Sequence, residues 1–158
     1  MAGVAVYRTG IAADWVDYNG HLRDAYYGLI VSYGIDALME RIGLGEAYRG
    51  RTACTLYTLE MHIHYLREVK GDASVSAEVR ILGADRKRIH AAFDLVTDSD
   101  PAAAATAEVM LMHVRQTPAP AGEPFDAATS AAIESLRQVT ASLPPSKHGS
   151  RQMLLPQR

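Results

Sequence analysis

The chain is poor in cysteine, phenylalanine and tryptophan: its 158 residues hold one Cys, two Phe and one Trp. A lone cysteine, Cys54, cannot close an internal disulfide and excludes the Cys-rich zinc modules. An excess of charge of either sign is missing too. The 16 Lys and Arg against 18 Asp and Glu leave a formal charge of −2, so no global field draws this chain to nucleic acid or to an anionic membrane. No apolar run reaches the roughly 18 residues of a membrane span. The longest, Ala25 to Met39, is interrupted by Tyr26, Tyr27, Ser32, Tyr33 and Asp36. Met1-Ala2-Gly3-Val4 has no basic stretch leading into an apolar one, which predicts a cytoplasmic protein. What remains is 48% hydrophobic and 22% charged. At this length a chain buries about 70% of its unfolded surface and needs no disulfide or metal staple.

Hydrophobic patterning predicts the elements. Val4 to Ile11 is short and rich in Val, Ile and Tyr, a first strand. Asp24 is expected to cap a helix from about Ala25 to Ile42, with Gly43-Leu44-Gly45 as its stop. This helix is apolar on nearly every side and must therefore be surrounded. From Asp72 to Ile81, Val75, Ala77, Val79 and Ile81 alternate with Ser74, Ser76, Glu78 and Arg80, the period of a half-buried strand. Ile89, Ala91, Phe93 and Leu95 repeat the pattern, and further strands are expected at about Thr52 to Leu66 and Ala103 to Arg115. No helix separates these later strands, so the sheet is antiparallel. The segment Gln116 to Pro124 reads as a linker, followed by a helix opened by Phe125-Asp126 and carrying Ile133, Leu136, Val139 and Leu143 at helical spacing. The fold class is α+β: a long central helix wrapped by an antiparallel sheet of five to six strands, the hotdog arrangement. Such a sheet leaves open edges, which predicts a homo-oligomer, dimer or tetramer. Residues 1–117 form the domain, 118–143 a linker and helix packed on it, and 144–158 a flexible or docked tail.

The loop Asp14-Trp15-Val16-Asp17-Tyr18-Asn19-Gly20-His21-Leu22 places a carboxylate, a carboxamide and an imidazole at alternate positions just before the buried helix. Extended, it would point Asp17, Asn19 and His21 the same way, beside a helix N-terminus suited to a developing oxyanion. Alternatively, Asn19-Gly20 is a tight turn within which Asp17 and His21 make local hydrogen bonds. Both hold if the turn presents the carboxylate.

Asp17-Tyr18-Asn19-Gly20-His21-Leu22, with Tyr27 following, resembles the Asp-x-Asn-x-His signature of hotdog thioesterases, and Asp17 matches the catalytic aspartate of the 4-hydroxybenzoyl-CoA thioesterase family. The stretches Glu60 to Glu68 with Gly71-Asp72, Asp85 to His90 and Ala105 to Val114 resemble the betainyl-CoA thioesterase subgroup of carnitine degradation. The resemblance runs from about residue 4 to 115. It implies hydrolysis of an acyl-CoA, most specifically betainyl-CoA to betaine and free CoA. Asp17 would be base or nucleophile, Asn19 would position substrate or water, and His21 would hydrogen-bond within the loop or polarise the site. No cofactor is implied beyond the CoA of the substrate, and no metal. Other acyl-CoA substrates, short, medium or aromatic, and a non-catalytic acyl-CoA-binding protein stay open.

Further candidates gather around this motif. Glu60, His62 and His64 alternate on one face of a strand, a spacing that invites a metal; a polar sheet face or dimer seam is the plainer reading. Glu60 is expected to face a pocket near Asp17 and meet a cationic acyl group. Trp15, Tyr18 and Tyr26, the aromatics nearest the motif, are candidates for a quaternary-ammonium cage. Arg86, Lys87 and Arg88 sit at a turn, within reach of CoA phosphates.

Overall fold

The computed structural model describes residues 3–143 and His148. Strand β1 (Val4–Gly10) leads through a turn of 3-10 helix at Ala13–Trp15 into α1 (Asp24–Arg41) and α2 (Glu46–Thr52). Then come β2 (Cys54–Tyr65), β3 (Ser74–Ala84), β4 (Arg88–Thr97), β5 (Asp100–Arg115), the two-residue β6 (Ala121–Gly122) and α3 (Ala127–Thr140). All pairings are antiparallel, in the order β1-β3-β4-β5-β2, with β6 beside the end of β5. This is the expected α+β sheet wrapped on one long helix.

The period-two pattern acts as foreseen. Val75, Ala77, Val79, Ile89, Ala91, Phe93, Leu95, Ala105, Ala107, Val109 and Leu111 are buried in one core with Ile30, Val31 and Leu38 of α1. Ile63 of β2 looks the same way, since a methyl added to Gly28 of α1 would stand 3.6 Å from its Cδ1. Helix α1 departs from expectation in one respect. Its buried residues, Tyr27, Ile30, Val31, Ile35, Leu38 and Met39, form a stripe at spacings of three and four, while Ser32, Tyr33, Asp36 and Glu40 are exposed. The sheet therefore encloses one side of the helix, and the other flank is open within a single chain.

Three local readings need correction. Asp24 is the first residue of α1 and not its cap; the cap position is Arg23, and the Asp24 Oδ1 accepts only the Ala25 N–H, at 2.9 Å. The predicted strand from Thr52 begins at Cys54 because seven residues ahead of it coil into α2, too short to show a period. Ala53, in the left-handed region at φ 54°, makes the break. In α3, Asp126 caps as expected by accepting the Thr129 N–H at 2.7 Å. Its buried stripe is Thr129, Ile133, Leu136 and Thr140, however, whereas Val139 is 64% exposed. The expected tail, 144–158, lies outside the described residues apart from His148.

The proline-rich segment after β5 is pinned rather than free. Gln116 N–H donates to Ala53 O, Glu123 N–H to His113 O and Phe125 N–H to Arg86 O. Fully buried His113 gathers these pieces. Its Nδ1 lies 2.8 Å from the Glu123 carbonyl, which can only accept, so Nδ1 carries the hydrogen. Nε2 then accepts from the Tyr48 hydroxyl at 3.2 Å, and the Phe125 ring stacks on the imidazole at 5.0 Å.

Candidate active site

Between β1 and α1 the chain makes a tight reversal. Val16 pairs with Leu22, Asp17 N–H donates to His21 O at 2.8 Å, and Gly20 N–H donates to Asp17 O at 3.1 Å. Gly20 sits at φ 82°, the left-handed geometry that closes a three-residue hairpin loop. The motif is thus a turn, not an extended run, and Asp17, Asn19 and His21 do not project in parallel. The turn instead winds its own backbone around one carboxylate oxygen: Asp17 Oδ1 accepts the N–H groups of Asn19 at 2.8 Å and His21 at 3.0 Å. These bonds, the one from His21 foremost, hold the Asp17 carboxyl below the ordinary aspartate range, with the charges of His21 and Arg23 assisting. The result is an ionised carboxylate with one fixed oxygen and one, Oδ2, left over. Asn19 and Tyr18 are exposed, Tyr18 to 93%.

The first turn of α1 offers less to an oxyanion than the sequence suggested. Ala25 N–H is engaged by the Asp24 side chain and Tyr26 N–H by Arg23 O, at 2.9 and 3.1 Å.

A second segment, the β2–β3 connection, is stapled to the turn. Leu22 N–H donates to Val69 O at 2.8 Å, Gly71 N–H donates to Gly20 O at 3.0 Å, and His21 bridges to Lys70. The fit requires glycine at 71, where a Cβ would stand 2.8 Å from Val16 Cγ2. The connection brings Glu68 to the site, its Oε2 3.5 Å from His21 Nε2. Beneath them lies buried Tyr27. Burial pushes its phenol up, and the carboxylates of Glu68 and Asp17, both close enough to act on it, add to the rise. Its ring meets Tyr65 edge-on at 5.2 Å. Neither Glu68 nor the Val69–Gly71 staple was singled out for the site from sequence; Gly71 is the only local signal of that contact.

The helix-wrapping sheet has counterparts. The profile of the thioesterase-like superfamily matches residues 11–142. The chain belongs to the thioesterase-like superfamily. It is 40% identical over 153 residues to the betainyl-CoA thioesterase of Pseudomonas aeruginosa, covering 97% of this chain and 96% of that one. A crystal structure of a candidate thioesterase from Pseudomonas putida KT2440 superposes with a TM-score of 0.86 at 40% identity, covering 99% of both chains. A Staphylococcus aureus protein solved in complex with CoA gives a TM-score of 0.88 at 25% identity, over 99% of this chain and 98% of that one. The reaction class of this thioesterase is acyl-CoA thioester hydrolysis.

The remaining candidates do not all gather at the Asp17 turn: Arg86, Lys87 and Arg88 lie past the far end of β3 from the 69–71 staple. Trp15 and Tyr26 do come together, stacked at 5.3 Å with 14° between their planes. Each ring covers a face of the other, so together they offer outer faces only, and Tyr18 does not join them in the stack. Glu60 is a correction. Met61 and Ile63 face the core cluster and Glu60, His62 and His64 alternate with them, so Glu60 stands on the sheet face away from α1. There its Oε1 is 2.8 Å from His62 Nε2. Among the described residues, no group of three His, Cys, Asp or Glu side chains is placed to hold a metal ion.

At the β3–β4 turn, Asp85 accepts the N–H groups of Lys87 and Arg88 and both Nε and Nη2 of the Arg88 guanidinium, at 2.6–3.0 Å. The Arg88 side chain, with these N–H groups, holds the Asp85 carboxyl down at about 2. Arg88 is thereby committed to its neighbour. Arg86 and Lys87 instead line a cleft of about 380 Å³ with Asp85, Gly122 and Pro124. No helix among the described residues is long and apolar enough to cross a membrane.

Proposed function

We propose that this thioesterase hydrolyses betainyl-CoA to betaine and free CoA, with Asp17 as the reacting carboxylate. The observation that carries the reading is the Asp17 turn: two backbone N–H groups hold one oxygen in place and keep the carboxylate ionised, and Oδ2 takes no part in those bonds. The betainyl acyl group is chosen because the Pseudomonas aeruginosa relative of that name aligns with nearly the whole chain. As base, Oδ2 takes a proton from a water whose oxygen bonds the carbonyl carbon. The C–S bond then breaks, the thiolate leaves with its electron pair, and the proton returns to sulfur. As nucleophile, Oδ2 bonds the carbon itself and the C–S bond breaks, the thiolate leaving with its electron pair; water then splits the anhydride into the free acid and the Asp17 carboxylate, and the proton released goes to the thiolate. A thiolate leaves readily, so either route asks mainly for position and ionisation.

In this reading His21 and Asn19 orient substrate or water at the rim, and the outer face of the Trp15–Tyr26 stack receives the methylated head group. Tyr18, exposed at the tip of the turn, lies along the approach. Arg86 and Lys87 serve the CoA phosphates from the cleft beside Gly122, while Arg88 braces the turn. The reaction runs in the cytoplasm without metal or cofactor. Thiol release from betainyl-, acetyl-, hexanoyl-, palmitoyl- and aromatic acyl-CoA tests the substrate, with betainyl-CoA expected to lead; preference for any other ester would overturn it.

The active assembly, in the same reading, is a homodimer or homotetramer. Strand β2 ends the sheet order with 12 residues, and Tyr57 and Leu59 on it are exposed, the kind of long apolar edge that pairs with a second copy. Light scattering at micromolar concentration is expected to give a mass above that of one chain. A monomeric mass would remove this part of the proposal.

A further inference from the structure

In betainyl-CoA the quaternary nitrogen is separated from the carbonyl carbon by one methylene, roughly 2.5 Å given bonds of about 1.5 Å. Any side chain that recognises the cation must therefore stand beside the carboxylate that attacks the carbonyl. Glu60 does not, because it lies on the far face of the sheet with its oxygen on His62. Glu68 does. The backbone bonds that join Val69 and Gly71 to the Asp17 turn fix its position, and its carboxylate reaches the edge of His21. The His21 N–H in turn donates to Asp17 Oδ1 at 3.0 Å, so Glu68 reaches the residue that holds the reacting carboxylate. The Glu68 side chain is 78% exposed. Glu68 also lines a cleft of about 680 Å³ that runs between the β2–β3 connection and the β4–β5 turn. Of the charged groups there, Arg67 pairs with Asp100 and Asp98 with Arg8, leaving Glu68 and Asp72 against Lys70, a net negative lining.

Resting on the betainyl-CoA reading, we infer that Glu68 is the specificity residue for the cationic acyl group. A trimethylammonium head cannot donate a hydrogen bond, so it is read by charge and by apolar contact. A carboxylate at the rim supplies the charge without a large desolvation penalty, because neither partner has to be stripped fully of water.

The test compares betainyl-CoA with 3,3-dimethylbutyryl-CoA, which has the same shape with carbon in place of the charged nitrogen, on wild type, Glu68→Gln and Glu60→Gln. Wild type is expected to favour the cation. Glu68→Gln is expected to lose about tenfold of that preference, the size of one charge contact at a wet rim, through KM rather than kcat. Glu68→Asp should recover part of it, and Glu60→Gln should keep the wild-type ratio. An unchanged preference in Glu68→Gln overturns the assignment and leaves the betainyl-CoA reading standing. Loss of preference in Glu60→Gln alone moves the role to Glu60. A wild type that does not distinguish the two esters overturns both.

Discussion

Replacing Asp17 with alanine is expected to lower turnover of the best acyl-CoA about a hundredfold or more, the usual size of a lost acid–base group. The effect is large because the change removes two things together. It takes away the oxygen that meets water or the carbonyl carbon, and it leaves the N–H groups of Asn19 and His21 without their acceptor, so the turn loses what held it in register. Asp17→Asn separates the two. An amide oxygen can still accept both N–H groups, so the turn survives, but it carries no charge and cannot take a proton at neutral pH. Equal losses in the two variants would assign the whole effect to chemistry, and near-normal turnover in Asp17→Asn would remove Asp17 from the mechanism. The pH profile gives a second check. The carboxylate works ionised and is held below its ordinary value of 3.8, so activity should persist as pH falls and fail only below that value. An acid limb well above that value would show that Asp17 is not the group that sets the profile.

Phe93→Ala should be the most damaging substitution for stability, with a loss of about 3–5 kcal/mol. Phe93 is fully buried at the centre of β4, between Val79 of β3 and Ala107 of β5. Its ring lies directly under the helix, where a methyl on Gly34 would stand 3.1 Å from Cε1. The neighbours are small, Ala77, Ala91 and Ala107 among them, and small neighbours cannot spread to fill the space left by a ring. For a chain of this size such a loss lowers the midpoint of thermal unfolding by about 6–20 °C. Circular dichroism on heating reads it directly. A midpoint within about 2 °C of wild type would show that the ring is not what the helix rests on.

The elements were legible where a period could be read over many residues. The alternation in β3 and β4 named their buried faces residue by residue, because a strand's side chains have nowhere to point except its two faces. Helix α2 was not legible: seven residues with a glycine inside them and one buried side chain, Tyr48, show no period at all. In α3 the helix was plain but its face was misjudged by part of a turn, since Val139 and Thr140 are adjacent and only packing chooses between them. The Asp17 motif was legible as a candidate because Asp17, Asn19 and His21 lie within five residues, but their spacing left an extended run and a turn both open. Glu60 and Glu68 show the opposite case. Alternation says that Glu60, His62 and His64 share a face of their strand, but not which face looks toward the Asp17 turn.

The sequence by itself determined the sheet's inward residues, the long apolar helix, Asp17 as the candidate carboxylate and, by resemblance, the thioesterase class, all of which rest on patterns among near neighbours or on a motif. Only the tertiary structure decided that α1 is covered on one side alone and that Glu68 rather than Glu60 reaches His21 of the Asp17 turn. Each of these depends on which distant segments touch. Here that choice was made by the backbone bonds between residues 20–22 and 69–71, groups that every residue carries and that no side-chain pattern announces.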